Sequence, residues 1–222
     1  MNSLEKVTAF IVHSSPSGID LLLFKHPTAG IQIPAGTVEE NETPQTAVLR
    51  EAAEESGLEG LEYRSYLGSR LERHPQECHY IAHLTPVYAR PDLGSIAWAQ
   101  IRRGIPVAVL RKVGGFCQVQ YQEKDRLPDP QYISYSILGW VPEEVLVDHQ
   151  ERHFYLLEAT DRGQDRWEVS IDNHVFTLFW TSLNPLPEII FPQSTWLPVL
   201  LGDDLMNAEA RIRQWLKGNR TN

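Results

Sequence analysis

Cysteine is nearly missing from this chain: Cys78 and Cys117 are the only two in 222 residues. A chain of that length can bury a sizeable core without covalent staples. A disulfide-built secreted scaffold is therefore excluded, and reduced thiols in a cytoplasmic setting are expected. Basic charge is also short. Lys and Arg total 20 against 29 Asp and Glu, a net charge of -9 with His neutral. Duplex nucleic acid needs clustered cations along its phosphates, so an acidic chain is a poor partner for it. No apolar run reaches the roughly 20 residues that a membrane-spanning helix needs. The opening MNSLEKVTAFIVHSS carries an acid early and no long apolar stretch, so neither a secretory leader nor a membrane anchor is expected. Small anionic ligands stay open, because a divalent cation can bridge them to acidic protein.

What is present is strongly patterned. Residues 7–14 and 19–26 are β-branched, aromatic and apolar, separated by SPSG; they predict two strands joined as a hairpin. IQIPAG at 31–36 predicts a short strand ended by Pro34 and Gly36. From Thr43 the pattern becomes helical. Thr43 can cap, Pro44 suits the first helical position, and Gly57 is a natural stop. A helix over 43–56 follows, and 62–73 returns to strand.

On that helix Glu51, Glu54 and Glu55 fall at i, i+3 and i+4, which share a face. Three carboxylates on one face form a hard-oxygen cluster of the kind Mg²⁺ or Mn²⁺ prefers. Such a cation would relieve their mutual repulsion. Arg50 sits one residue off that face and can reach back to Glu42 as a bidentate pair, pinning the loop before the helix. Gly36 opens that loop, where a backbone carbonyl could come close to a metal.

The window GTVEENETPQTAVLREAAEESGL at 36–58 resembles the Nudix box at every specified identity. One soft departure is Ala52, small where the box usually carries a larger aliphatic. The resemblance implies an α/β/α sandwich with a mixed sheet. It also implies Mg²⁺- or Mn²⁺-dependent hydrolysis of a nucleoside diphosphate linked to another moiety. Carried over, Glu51, Glu54 and Glu55 are the metal ligands with the Gly36 carbonyl, Arg50 and Glu42 are the orienting pair, and Gly57 closes the box. The general base in this family is either a box glutamate or a downstream one. Glu168 is the preferred downstream candidate, with Glu151, Glu158 and Glu188 competing.

The chain is longer than a minimal Nudix domain needs. Between the box and a second strand-rich half lies a stretch at 78–147 with short strands, a Gly114-Gly115 turn and the closing Gly139-Trp140-Val141-Pro142. It resembles an SH3-like barrel inserted into a loop, which divides the chain into 1–77, 78–147 and 148–222. Its aromatics Trp98, Phe116, Tyr121, Tyr132, Tyr135 and Trp140 are expected mostly to fill the barrel core; a peptide groove is the alternative. His74, His79, His149 and His153 lie near the joints, where they could touch substrate. Beyond them, 153–160, 166–171 and 174–183 predict strands. A short or broken helix is expected near 186–201, since Pro187, Pro192 and Pro198 interrupt it. The final helix is capped by Asp203 or Asp204, with Leu205, Ala208, Ile212, Trp215 and Leu216 as one apolar stripe.

Two functions follow. One is a pyrophosphohydrolase acting on a nucleotide-type small molecule. Nucleotide sugars such as ADP-ribose, dinucleoside polyphosphates and nucleoside triphosphates all remain open, and Pro75 is a weak pointer to ADP-ribose. The other is a nearly inactive nucleotide sensor or adaptor whose insert binds a partner. A homodimer stays open.

Overall fold

The computed structural model describes residues 4–73, 77–127, 129–171, 174–203 and 205–218. His74, Pro75 and Asp204, singled out above, lie outside the described residues, as does the side chain of Leu205. The chain divides into two compact units, Lys6–Ser69 with His153–Asn222 and Met1–Glu5 with Arg70–Arg152.

The first unit is built on β1 (Leu4–Ser15) and β2 (Gly18–His26), an antiparallel hairpin in register Val12 with Leu21 and Ser15 with Gly18. The stretch expected as one strand at 31–36 is two: β3 (Gly30–Gln32) pairs with β2 and β4 (Ala35–Thr37) pairs with β1. Pro34 has no N–H for a ladder, which interrupts pairing there. Its carbonyl still accepts the Ala9 amide at 2.9 Å. Gly36 consequently sits inside β4 opposite Val7, rather than opening the loop. Then come α1 (Pro44–Ser56) and β5 (Leu61–Arg73).

The second unit supplies β6 (Cys78–Ile81), β7 (Thr85–Tyr88), β8 (Ala97–Ile101), β9 (Pro106–Val113), β10 (Phe116–Lys124), β11 (Ile133–Pro142) and β12 (Leu146–Val147). The first unit resumes with β13 (His149–Ala159), β14 (Arg166–Ile171), β15 (His174–Ser182), α2 (Leu197–Leu201) and α3 (Ala208–Gly218). The interrupted helix near 186–201 is thus short, a 3-10 turn at Gln193–Trp196 running into α2.

The sheet order is β14-β15-β2-β1-β13-β5, with β3 and β4 paired onto β2 and β1. Strand alternation sends Val7, Ala9 and Ile11 to one face, where they pack with Ala47, Val48 and Ala52 of α1. It sends Phe10 and Val12 to the other, against Leu200, Leu201, Ile212 and Leu216 of α2 and α3. Helices therefore cover both faces, a three-layer α/β/α arrangement, which is why the central strands read as unbroken apolar runs. Each fully buried Leu or Phe contributes about 1.5–3 kcal/mol, and β1 and β2 supply Leu4, Phe10, Leu21, Leu22 and Leu23. The strand-rich mixed sheet is consistent with a Nudix fold.

The second unit is a seven-stranded sheet, order β12-β6-β9-β10-β11-β7-β8. Its own small core gathers Ile81, Val87, Ile101, Val107, Cys117, Val119 and Val141. The expected joints at 77/78 and 147/148 fall inside this unit, whose compact limits lie within β5 and β13. The expectation that its aromatics mostly fill the core is corrected: Trp140 is buried, while Trp98, Tyr132 and Tyr135 are exposed. The core gathers aliphatic β-branched side chains and Cys117 instead, and of the named rings Tyr121 packs against it while partly buried. Both cysteines are free thiols. Among the described residues no helix is long and apolar enough to cross a membrane.

Candidate active site

Local signals place α1. The Thr43 hydroxyl accepts the Thr46 amide at 3.2 Å, Pro44 begins the helix, and Gly57 ends it with φ of 68° while its N–H returns to the Ala53 carbonyl. Such an N-cap stabilises by about 1 kcal/mol. The helix thereby presents Glu51 and Glu55 along the flank that faces β4.

Arg50 organises the approach to that flank. Its Nε donates to Glu42 Oε1 at 3.0 Å and its Nη2 to Glu42 Oε2 at 2.8 Å, a two-pronged pair. Nη2 also donates to the Thr37 carbonyl at 3.1 Å, and Nη1 lies 3.0 Å from Glu51 and 3.4 Å from Glu54. One guanidinium thus ties the end of β4, the following loop and two helix carboxylates together. Only a planar fork with five donors can do that. The Glu42 hydrogen bonds hold Arg50 above its ordinary pKa, and the Arg50 hydrogen bonds in turn hold Glu42 below the usual carboxylate range.

Glu51 Oε1 accepts the Thr37 amide at 3.1 Å. Its carboxyl fills the space beside Gly36, where an added Cβ would stand 1.9 Å from Cδ. Glu55 Oε2 accepts the Ala35 amide at 2.9 Å. Burial pushes the Glu55 carboxyl up to about 8; the Ala35 hydrogen bond opposes this, and Glu51 and Glu54 add to it. Glu54 is the most open of the three, its side chain 60% exposed. The three share a flank, but their oxygens do not converge on one point among the described residues. Each instead takes its own N–H or guanidinium partner, which separates like charges.

These residues fit a divalent cation. The donors are all hard oxygens. The absence of a Cβ at Gly36 lets the Glu51 carboxyl lie against the β4 backbone, and burial raises the Glu55 pKa to about 8, a shift that a nearby cation would oppose.

The remaining candidates are elsewhere. Glu168 is exposed on β14. Its neighbours Trp167 and Val169 pack with the α1-side cluster, and the Trp167 Nε1 donates to the Ser56 carbonyl at 2.7 Å. Alternation then turns Glu168 to the opposite side of the strand, and no described contact joins it to Glu51, Glu54 or Glu55. Glu158 is buried and paired with Arg64 at 2.7 Å, while Glu188 is exposed. Glu151 belongs to the second unit. His149 meets Asp148 at 2.6 Å and His153 meets Tyr66 at 3.1 Å.

One supporting residue gave no sequence signal. Gln193, buried in the 3-10 turn, accepts the Ile33 amide at 2.5 Å. Ile33 lies two residues before Ala35, so this contact fixes the backbone that holds Glu55. A lone glutamine 160 positions away carries no pattern that could reveal it.

A family model described as NUDIX domain matches residues 5–99. That stretch holds β1 to β5, α1 and the whole carboxylate flank. The match supports the Nudix superfamily. A NUDIX domain implies a hydrolase of some pyrophosphate-containing substrate, and such enzymes generally use a divalent metal. The match also runs through β6 and β7 into β8, and leaves β13 to β15 and the later helices outside. No curated protein matches the chain.

Proposed function

We propose that this protein is a Mg²⁺- or Mn²⁺-dependent Nudix hydrolase that cleaves the pyrophosphate bond of a nucleoside diphosphate linked to another moiety. The observation that carries the reading is the Gly36–Glu51 contact, locked by the Arg50–Glu42 fork, because it fixes strand, loop and helix as one carboxylate-lined flank.

A diphosphate resists attack because its own charge repels a nucleophile. A divalent cation, when bound, neutralises that charge and lowers the pKa of a coordinated water. Glu51, Glu54, Glu55 and the Gly36 carbonyl are the groups that would hold it. The chain's own contribution is placement. Arg50 keeps Glu51 and Glu54 aimed along one edge. Gln193 and β4 keep the Ala35 amide on Glu55. Glu54 is open to incoming water and takes the proton-accepting role, since Glu168 faces away.

The second unit supports a different reading, in which the chain binds nucleotide, turns over little, and docks a partner. Exposed Trp98, Tyr132 and Tyr135 favour it. The strand succession around Gly114-Gly115 supports an SH3-like barrel for this unit.

One assay separates the readings: phosphate release across a nucleotide panel, with Mg²⁺ or Mn²⁺ and a coupling phosphatase, using Glu55→Gln as control. Metal-dependent turnover that vanishes in the variant supports the hydrolase. Silence across the panel, with a nucleotide still raising the Tm, transfers support to the sensor.

A further inference from the structure

The α1 side of the sheet carries an aromatic group that the carboxylate flank does not use. Tyr155 on β13 and Tyr63 on β5 belong to the same packed layer as Val38, Val48 and Ala52. Tyr155 is buried, and the ring of Tyr66 stands 5.2 Å from it, tilted by 48°. Tyr63 meets Tyr155 edge-on at 6.1 Å. Tyr66 itself is 46% exposed and is the most open ring of the group, Tyr63 being half-buried and Tyr155 buried. The ring is held in orientation, since Tyr66 Oη and His153 Nδ1 lie 3.1 Å apart.

Its position matters as much as its chemistry. Gly36 pairs with Val7 on β1, and the sheet order continues β1-β13-β5. Three strand steps at about 4.8 Å set β5 roughly 14 Å from β4. That is a span suited to a ligand with its phosphates at α1 and its other end at β5. A half-exposed, fixed tyrosine backed by two more presents a π-face with low ordering cost.

We propose that Tyr66, backed by Tyr155 and Tyr63 and oriented by His153, is the shelf on which the planar base of a nucleoside diphosphate substrate stacks. The proposal rests on the hydrolase reading above and names the side chain that would receive the base of that substrate.

The test uses the full chain with 1,N6-etheno-ADP-ribose, whose fluorescence falls when its base stacks, alongside steady-state turnover of ADP-ribose. Wild type is expected to quench the probe. Tyr66→Ala is expected to weaken binding and raise KM by roughly ten- to a hundredfold, the range of stacking losses on alanine substitution, with the loss on KM rather than kcat. Tyr66→Phe keeps the ring and is expected to retain most of the binding. A thermal melt of each variant separates misfolding from lost stacking. Unchanged quenching and KM in a folded Tyr66→Ala would overturn the shelf, as would equal losses in Tyr66→Ala and Tyr66→Phe, which would assign the effect to the hydroxyl. A wild type that quenches the probe but hydrolyses no diphosphate sinks the hydrolase reading and leaves the shelf supported. Hydrolysis without quenching sinks the shelf alone.

Discussion

The carboxyl of Glu51 occupies the volume that a Cβ on Gly36 would need, with Cδ 1.9 Å and both oxygens within 2.3 Å of that point. Two residues fifteen positions apart thus exclude any side chain at one of them. The constraint comes from contact, not from backbone strain. Gly36→Ala must push Glu51 off the Thr37 amide. We expect turnover to fall by roughly tenfold or more, a barrier change of about 1.4 kcal/mol, with far-UV circular dichroism unchanged. Steady-state kinetics on the active substrate checks this, and wild-type kcat in the variant would show that Glu51 is free to act elsewhere.

Arg50→Lys keeps the charge and loses the fork. A lysine cannot serve Glu42 twice and Thr37 as well. Losing charge-assisted hydrogen bonds at this partly buried site costs about 2 kcal/mol. Urea unfolding should report a lower midpoint with an unchanged m-value. Equal midpoints would mean that the loop is held by other contacts.

Glu55→Gln separates stability from activity. Glutamine keeps an oxygen for the Ala35 amide and the same shape, so the fold should persist. Loss of the charge should reduce turnover by about a hundredfold, since even groups that only support metal ligands cost ten- to a hundredfold. An active variant would remove Glu55 from the metal-holding set.

In the second unit, Glu72 meets Arg152 at 3.0 Å, Gln150 at 2.7 Å and Arg70 at 2.9 Å. Burial raises the Glu72 pKa, but Arg152 and the hydrogen bonds from Arg70, Gln150 and Arg152 outweigh it and hold the group below the usual range. A depressed folded-state pKa contributes stability above the unfolded value and loses it as pH falls through the folded one. Melting followed from pH 6 to pH 3 should show this acid-side loss, and Glu72→Gln should flatten it. At pH 7 the variant should be less stable by about 3 kcal/mol, because it leaves the buried Arg152 without its counter-charge. A steep acid slope surviving in Glu72→Gln would assign the loss to other carboxylates.

The legible parts of the chain were those whose cause is local. Thr43, Pro44 and Gly57 delimit α1 through their own hydrogen bonds and dihedrals. The spacing of Glu51, Glu54 and Glu55 puts them on one flank because a helix repeats every 3.6 residues. The apolar runs of β1 and β2 are visible since both faces of those strands are covered. Tertiary structure decided the rest. Pro34 reads as the end of a strand, yet whether β3 and β4 join different partners depends on how β1 and β2 diverge. Glu168 reads as a polar residue near a conceivable site, yet which way it points depends on strand register. The packing of Glu51 on Gly36, the Gln193 grip on Ile33 and the Tyr66–Tyr155 shelf all join residues that are distant in the chain. Their positions follow from how sheet and helices pack together, and no local pattern in the sequence encodes that packing.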